Sequence, residues 1–121
     1  MKISNAEHKV MQVIWSADSP LISKEIVKAF ESNSEWKPKT IQTLLSRLVQ
    51  KDALGFDKQG RHYFYFPKIS EEQCLEEVST SFLDQFFGGS LMPMLSHFAG
   101  NKKISKEEAD LLRKLLDENE S

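Results

Sequence analysis

The sequence predicts a mostly α-helical protein that carries one short β-hairpin and divides into two domains. Three observations lead to this class. Apolar residues recur at helical spacing along most of the 121 residues, and only Leu54–Pro67 changes to a β-rich pattern. The charge is uneven, because residues 1–68 hold 11 Lys and Arg against 7 Asp and Glu, whereas residues 69–121 hold 5 against 11. This asymmetry predicts a nucleic-acid-facing domain over 1–68 and a second domain over 69–121 that faces protein or water.

Composition is typical of a soluble globular protein, with 40% hydrophobic and 28% charged residues. No apolar run approaches the roughly 18 residues needed to span a membrane, and the first residues lack the apolar core of a signal peptide. The single cysteine, Cys74, excludes an internal disulfide. We therefore expect a cytoplasmic protein.

The first 30 residues predict two short helices with a brief strand between them. Ser4 and Glu7 have the spacing of a capping box, which predicts a first helix over Asn5–Trp15. Leu21-Ile22 could form a very short strand, and Ser23 is the expected cap of the second helix.

The stretch Trp36–Lys51 predicts the third helix. Pro38 suits the first helical position, and the stretch holds four basic residues and no acidic one. Its apolar residues form one stripe: Ile41, Leu44, Leu45, Leu48 and Val49. The opposite face carries cations, hydroxyls and amides, which are suited to contacts with phosphates and base edges in a DNA major groove. An ordinary solvated amphipathic helix is the alternative interpretation.

Two strands joined at Gln59-Gly60 follow this helix and form a predicted hairpin over residues 54–67. Lys58 and Arg61 flank its tip. Three helices followed by a basic hairpin are typical of a winged helix-turn-helix, in which the third helix enters the major groove and the wing meets the backbone or the minor groove. A plain solvated turn is the alternative. The predicted DNA contacts are Lys37, Lys39, Thr40, Gln42, Thr43, Ser46, Arg47, Lys51, Lys58 and Arg61.

Residues 69–121 predict three more helices, two of which begin at the capping boxes of Ser70 and Ser105. Gly88-Gly89 ends the first of them. The segment carries more large apolar side chains than it can bury alone, which predicts a symmetric homodimer. Packing back onto the first domain is the alternative. The predicted dimer residues are Leu75, Val78, Phe82, Phe86, Leu95, Phe98, Leu112, Leu115 and Leu116.

The chain resembles the penicillinase-repressor family, which includes the methicillin-resistance and β-lactamase repressors and the copper-responsive operon repressors. Five segments in order carry the resemblance: I-S-N-A-E-H-K-V-M-Q-V-I-W, E-W-K-P-K-T-I-Q-T-L-L-S-R-L-V-Q-K, Y-F-Y-F, G-G and S-K-E-E-A-D-L-L-R-K-L-L. It implies a dimeric winged-helix repressor that binds a palindromic operator in double-stranded DNA and controls a β-lactam-resistance-like or related stress operon.

Three positions depart from the family's pattern. Gln42 stands where β-lactam-resistance members commonly have Arg, so the base preference there differs. Lys37 replaces a frequent Ser before the helix proline, which removes a capping hydroxyl and adds a cation for phosphate. His8 replaces a usual Trp in the first helix.

The resemblance also bears on the inducing signal. Copper-responsive members end in Cys-x-Cys pairs that this chain lacks, so we expect no metal and no cofactor. Antibiotic-resistance members are cleaved at an Asn–Phe bond after a signal from a membrane receptor protease. The nearest match here is His97-Phe98, and a receptor protease is accordingly an implied partner.

Two other function classes have less support in the residues. A winged-helix module for protein–protein contact would not lose affinity with salt, whereas a DNA-binding repressor would. No glycine-rich phosphate loop, paired-carboxylate pattern or nucleophile arrangement supports an enzyme. The sequence therefore predicts a repressor without catalytic activity.

Overall fold

A computed structural model describes residues 2–32 and 36–119, so part of the predicted loop before Trp36 lies outside the described residues. The backbone separates into two compact units, residues 1–78 and 79–121. The assignment of DNA binding to 1–68 and of dimerisation to 69–121 stays a prediction. The elements are α1 Asn5–Ser16, β1 Leu21–Ile22, α2 Ser23–Ala29, α3 Pro38–Gln50, β2 Leu54–Gln59, β3 His62–Pro67, α4 Glu71–Phe87, α5 Leu91–Gly100 and α6 Lys106–Glu118.

Side-chain caps set where several of these helices begin. The Ser4 hydroxyl accepts from the Glu7 amide at 3.1 Å, and the Glu7 carboxylate accepts from the Ser4 amide at 2.7 Å, as expected for a capping box. The expectation that Ser23 caps α2 is wrong. Ser23 is already helical and Ile22 is the N-cap. The Glu25 carboxylate accepts a hydrogen bond from the Ile22 amide at 3.0 Å, and this bond takes the place of a serine hydroxyl cap.

The core of the first unit lies between the three helices and a three-stranded antiparallel sheet of order β1-β3-β2. Leu21 is paired with Tyr65 and Phe56 is paired with Tyr65 from the other side, so β3 is the central strand. The Trp15 indole donates to the Ile69 carbonyl at 3.0 Å, which fixes the end of the sheet region against α1. The buried core side chains are Val10, Met11, Ile14, Ile26, Ile41, Leu44, Leu45, Leu48, Ala53, Leu54 and Tyr65.

The hairpin turn lies one residue later than the sequence suggested. Gln59 remains paired with His62, so the two turn residues are Gly60 and Arg61 rather than Gln59 and Gly60. Gly60 has φ +63°, and Arg61 is not among the residues with positive φ. A glycine at the first central position is what a type II′ hairpin turn requires, and this requirement places the turn.

The second unit contains α5, α6 and the end of α4, and none of its residues from 79 to 119 is buried. It contains a small aromatic cluster, with Phe82 5.1 Å from Phe86 and Phe87 6.2 Å from His97 between ring centroids. The predicted capping box at Ser105 is confirmed, since its hydroxyl accepts the Glu108 amide at 3.0 Å. Among the residues that the structure describes, no helix is both long enough and apolar enough to cross a membrane.

Candidate nucleic-acid interface

Helix α3 separates its side chains into one buried and one exposed face. Ile41, Leu45 and Leu48 are fully buried, and Leu44 is 5% exposed. The first helical residue is Pro38, and Lys37 at the N-cap position makes no side-chain capping bond. The exposed face carries no carboxylate and consists of Lys39, Thr40, Gln42, Thr43, Ser46, Arg47 and Gln50.

These exposed groups differ in whether they already have a hydrogen-bond partner within the protein. The Thr43 hydroxyl donates to the Lys39 carbonyl at 3.1 Å, which leaves its oxygen able to accept but directs its proton into the helix. For the Arg47 guanidinium and the Gln42 amide, no partner is found within residues 2–32 and 36–119. The two groups best suited to bidentate contacts with base edges are therefore exposed and unpaired in the described chain.

The wing supplies two more exposed cations. Lys58 lies at the end of β2, with its ammonium nitrogen 5.8 Å from the centroid of the Tyr63 ring, and Arg61 is a turn residue. The tip of the hairpin is thus basic, as expected from the sequence. Helix α3 and β2 pack against each other, so both basic elements belong to one unit.

Lys51 differs from the other predicted DNA contacts. Its ammonium donates to the Glu7 carboxylate and to the Lys2 carbonyl, both at 2.6 Å. The Glu7 side chain is 1% exposed and the Lys51 side chain is 35% exposed. We therefore leave Lys51 out of the proposed interface, because a lysine that neutralises a buried carboxylate is not available for phosphate. Sequence spacing could not show this partner, since Glu7 is 44 residues away.

Glu7 ties the end of α3 to the start of α1. Burial raises the pKa of its carboxyl, but the hydrogen bonds from Lys51 and Ser4 and the charge of Lys51 outweigh burial, so its pKa lies below the usual 4.5. Its second oxygen, Oε2, is buried and has no hydrogen-bond partner among the described residues. Few contacts therefore stabilise the ionised carboxylate, and among them the contact with Lys51 brings a positive charge.

We expect Glu7→Gln to lower the free energy of unfolding by about 1–3 kcal/mol at pH 7, because Lys51 loses its charged acceptor. Since the pKa of Glu7 is lowered on folding, its stabilisation is fully present above pH 4.5 and is lost as the pH falls through the folded-state pKa. The variant and the wild type should converge in acid. Urea unfolding followed by tryptophan fluorescence measures this, since both tryptophans, Trp15 and Trp36, lie in the first unit.

Asp52→Asn is the matched control for this experiment. The Asp52 carboxylate lies 2.6 Å from the Lys68 ammonium, but its side chain is 75% exposed. An exposed ion pair of this kind contributes less than about 1 kcal/mol. If both variants lose the same free energy of unfolding at pH 7, the buried Glu7–Lys51 pair contributes no more than an exposed ion pair, and the prediction is wrong.

A groove opens between the second half of α3 and the wing. Its volume is about 320 Å³, and it is lined by Ser46, Val49, Gln50, Phe56, Tyr63 and Tyr65. The rings of Phe56 and Tyr63 meet edge to face at 5.0 Å between centroids and are 44% and 43% exposed. Neither ring is among the DNA contacts predicted from the sequence. The available signal was strand alternation, since the Phe56–Tyr65 and Lys58–Tyr63 pairs share one face of the hairpin.

Most of the predicted dimer residues are exposed in the single chain. Leu95 and Leu112 are half-buried, and Phe98 is 36% exposed. The other six are 42–64% exposed: Leu75, Val78, Phe82, Phe86, Leu115 and Leu116. Large apolar side chains exposed in such numbers are typical of a protein–protein interface.

The other candidate sites are the cysteine Cys74, a metal site and the His97–Phe98 bond. Cys74 is buried, and burial, followed by the charges of Glu77 and Glu71, raises the pKa of its thiol. Within the described ranges, no group of three or more His, Cys, Asp or Glu side chains is placed to hold a metal ion. The His97–Phe98 bond lies inside α5, so this helix would have to open locally before a protease could bind the bond in an extended conformation.

Comparisons with known proteins found a family, a relative and two solved structures to which this chain is similar. The family model described as penicillinase repressor matches residues 3–118. A penicillinase repressor of Bacillus licheniformis is 42% identical over 99% of this chain and 93% of its own length. The solution structure of the DNA-binding domain of the repressor BlaI is similar with a TM-score of 0.54 and 47% identity, covering 58% of this chain and 84% of that one. The Bacillus licheniformis BlaI monomeric form in complex with the blaP half-operator is similar with a TM-score of 0.52 and 46% identity, covering 60% and 87%.

Proposed function

Because the chain belongs to the penicillinase repressor family, we propose that it represses transcription by binding a palindromic operator as a homodimer, through α3 and the wing. The family consists of transcriptional repressors, which confirms the prediction that the chain is not an enzyme. One observation supports the mode of binding above all. Helix α3 buries its apolar face except for the half-buried Val49, and it exposes cations, hydroxyls and amides without a single carboxylate.

We assign the exposed residues of α3 to base and phosphate contacts by their chemistry. The Arg47 guanidinium can donate two hydrogen bonds to guanine O6 and N7, and the Gln42 amide can bond to adenine N6 and N7. Thr40 and Ser46 contribute hydroxyls for phosphates, and the methyl groups of Thr40 and Thr43 suit an apolar contact with a thymine methyl. Lys37 and Lys39 at the start of α3, with Lys58 and Arg61 on the wing, carry the phosphate contacts.

We place the homodimer contact in residues 75–116, which carry most of the exposed large apolar side chains of the described chain. Two copies that share this surface would bury it through a symmetric interface. A two-fold dimer presents two α3 helices to half-sites separated by one helical turn of DNA or a multiple of it. This matches the palindromic operator proposed above.

The cellular setting follows from the same proposal. The repressor acts in the cytoplasm, where the DNA lies, and controls an operon for resistance to β-lactams or a related stress. A membrane receptor protease is the proposed upstream partner. The position that would be cut is the His97–Phe98 bond within α5.

Footprinting on the DNA upstream of the chain's own gene, at two salt concentrations, tests the proposed function. We expect a protected palindrome whose affinity falls steeply with salt, because Lys and Arg displace counterions from phosphates. A winged-helix module used only for protein contact is the second candidate function. It would give no protection, or protection that is indifferent to sequence and to salt.

A further inference from the structure

The groove between α3 and the wing lies beside the proposed DNA-contact face. Ser46 and Gln50 line the groove, and they follow Gln42 at intervals of four residues, so all three lie on one side of α3. Lys58 adjoins the groove through its contact with the Tyr63 ring. The groove therefore continues the basic and polar surface from the helix to the wing.

We propose that this groove receives a sugar–phosphate segment of one operator strand and contributes a nonpolar part of the affinity that is insensitive to salt. This inference rests on the proposed function. The rings of Phe56 and Tyr63 form the contact with the deoxyribose. The Tyr63 hydroxyl, with Ser46 and Gln50, donates hydrogen bonds to the adjoining phosphate.

The chemistry of the lining supports a nucleic-acid strand as the occupant. The C–H edge of a deoxyribose is apolar, and two aromatic rings at the mouth of the groove offer it an apolar surface. Neutral hydroxyl and amide groups are regular donors to DNA phosphates. The groove holds no carboxylate, so nothing in its lining repels a phosphate.

The exposure of the walls argues against a small molecule. A small-molecule site normally covers about 70–90% of its ligand's surface. Here Phe56 and Tyr63 remain 44% and 43% exposed, and the groove is open rather than enclosed. An open groove of this kind suits a strand that lies along it and continues beyond both of its ends.

Two variants remove the proposed contacts one at a time. Phe56→Ala removes apolar surface, and we expect about tenfold weaker operator binding at every salt concentration with an unchanged salt slope. Tyr63→Phe keeps the ring beneath Lys58 and removes only the hydroxyl. It should weaken binding by roughly two- to tenfold. It should also abolish ethylation interference at one phosphate in each half-site.

Two further variants serve as comparisons. Lys58→Ala should instead lower the salt slope by about one unit, since a cation is lost. His62→Ala is the matched control, because His62 is exposed and lies beside Tyr63 on β3 but on the opposite face of the hairpin. We expect its operator affinity to stay within about twofold of the wild type.

The outcomes separate this inference from the proposed function. If the wild type fails to bind the operator, both the proposed function and the groove contact are wrong. If the wild type binds but Phe56→Ala and Tyr63→Phe lose no more affinity than His62→Ala, only the groove contact is wrong. A changed salt slope in Tyr63→Phe would also overturn it. Tyr63→Phe preserves the packed ring, so its result does not depend on the folding of Phe56→Ala.

Discussion

Leu115→Asp is expected to convert the repressor into a monomer and to weaken operator binding by roughly 10²- to 10⁴-fold. Leu115 is 47% exposed on α6 and belongs to the apolar surface that we assign to the dimer. In the proposed interface, a carboxylate at this position would be buried without a partner, which costs several kcal/mol. Without the dimer, the second half-site must be bound by an independent molecule instead of a linked one.

Three measurements on one preparation examine this prediction. Sedimentation equilibrium should give a monomer, and tryptophan fluorescence should show that the first unit remains folded. Binding to a duplex that carries one half-site should be unchanged. Lys114→Asp is the matched control, because it places the same side chain on the adjacent polar position of α6. A Leu115→Asp protein that stays dimeric would show that the interface is elsewhere.

Arg47→Ala is expected to have the second large effect, through the sequence preference of the repressor. Arg47 is exposed in the last turns of α3, and its guanidinium suits a bidentate contact with guanine. Loss of such a contact costs about 1–3 kcal/mol at each half-site. A symmetric operator loses it twice, so the dimer should bind about 2–6 kcal/mol more weakly, or at least roughly 30-fold.

The pattern of losses identifies the role of Arg47. In operators substituted at one base pair in each half, the variant should no longer distinguish the substituted sequence from the parent sequence. Lys39→Ala is the comparison, since a phosphate contact weakens all sequences alike and lowers the salt slope by about one unit. Equal loss for Arg47→Ala on every sequence would make it a backbone contact instead.

Local signals were sufficient to predict most of the elements. The capping boxes at Ser4, Ser70 and Ser105 begin helices in the structure, and Leu21-Ile22 forms the predicted strand. The capping boxes depend on residues three apart, which act together before any tertiary contact exists, whereas the strand Leu21-Ile22 forms by pairing with β3. The turn was predicted at Gln59-Gly60 and lies at Gly60-Arg61, and the cap was predicted at Ser23 and is Ile22. Both errors were choices between neighbouring residues, which pairing and the packing of side chains decide.

The sequence by itself determined the helical order, the basic hairpin and the division of α3 into an apolar and a polar face, because periodicity and charge are properties of the chain. Only the tertiary structure decided which polar groups are free. Lys51 has the same side chain as Lys39, yet it neutralises Glu7, which comes 44 residues earlier in the chain. Likewise, α3 and β2 must pack together before Ser46 and Tyr63 line one groove. Such contacts depend on how distant segments meet in space, which local spacing does not encode.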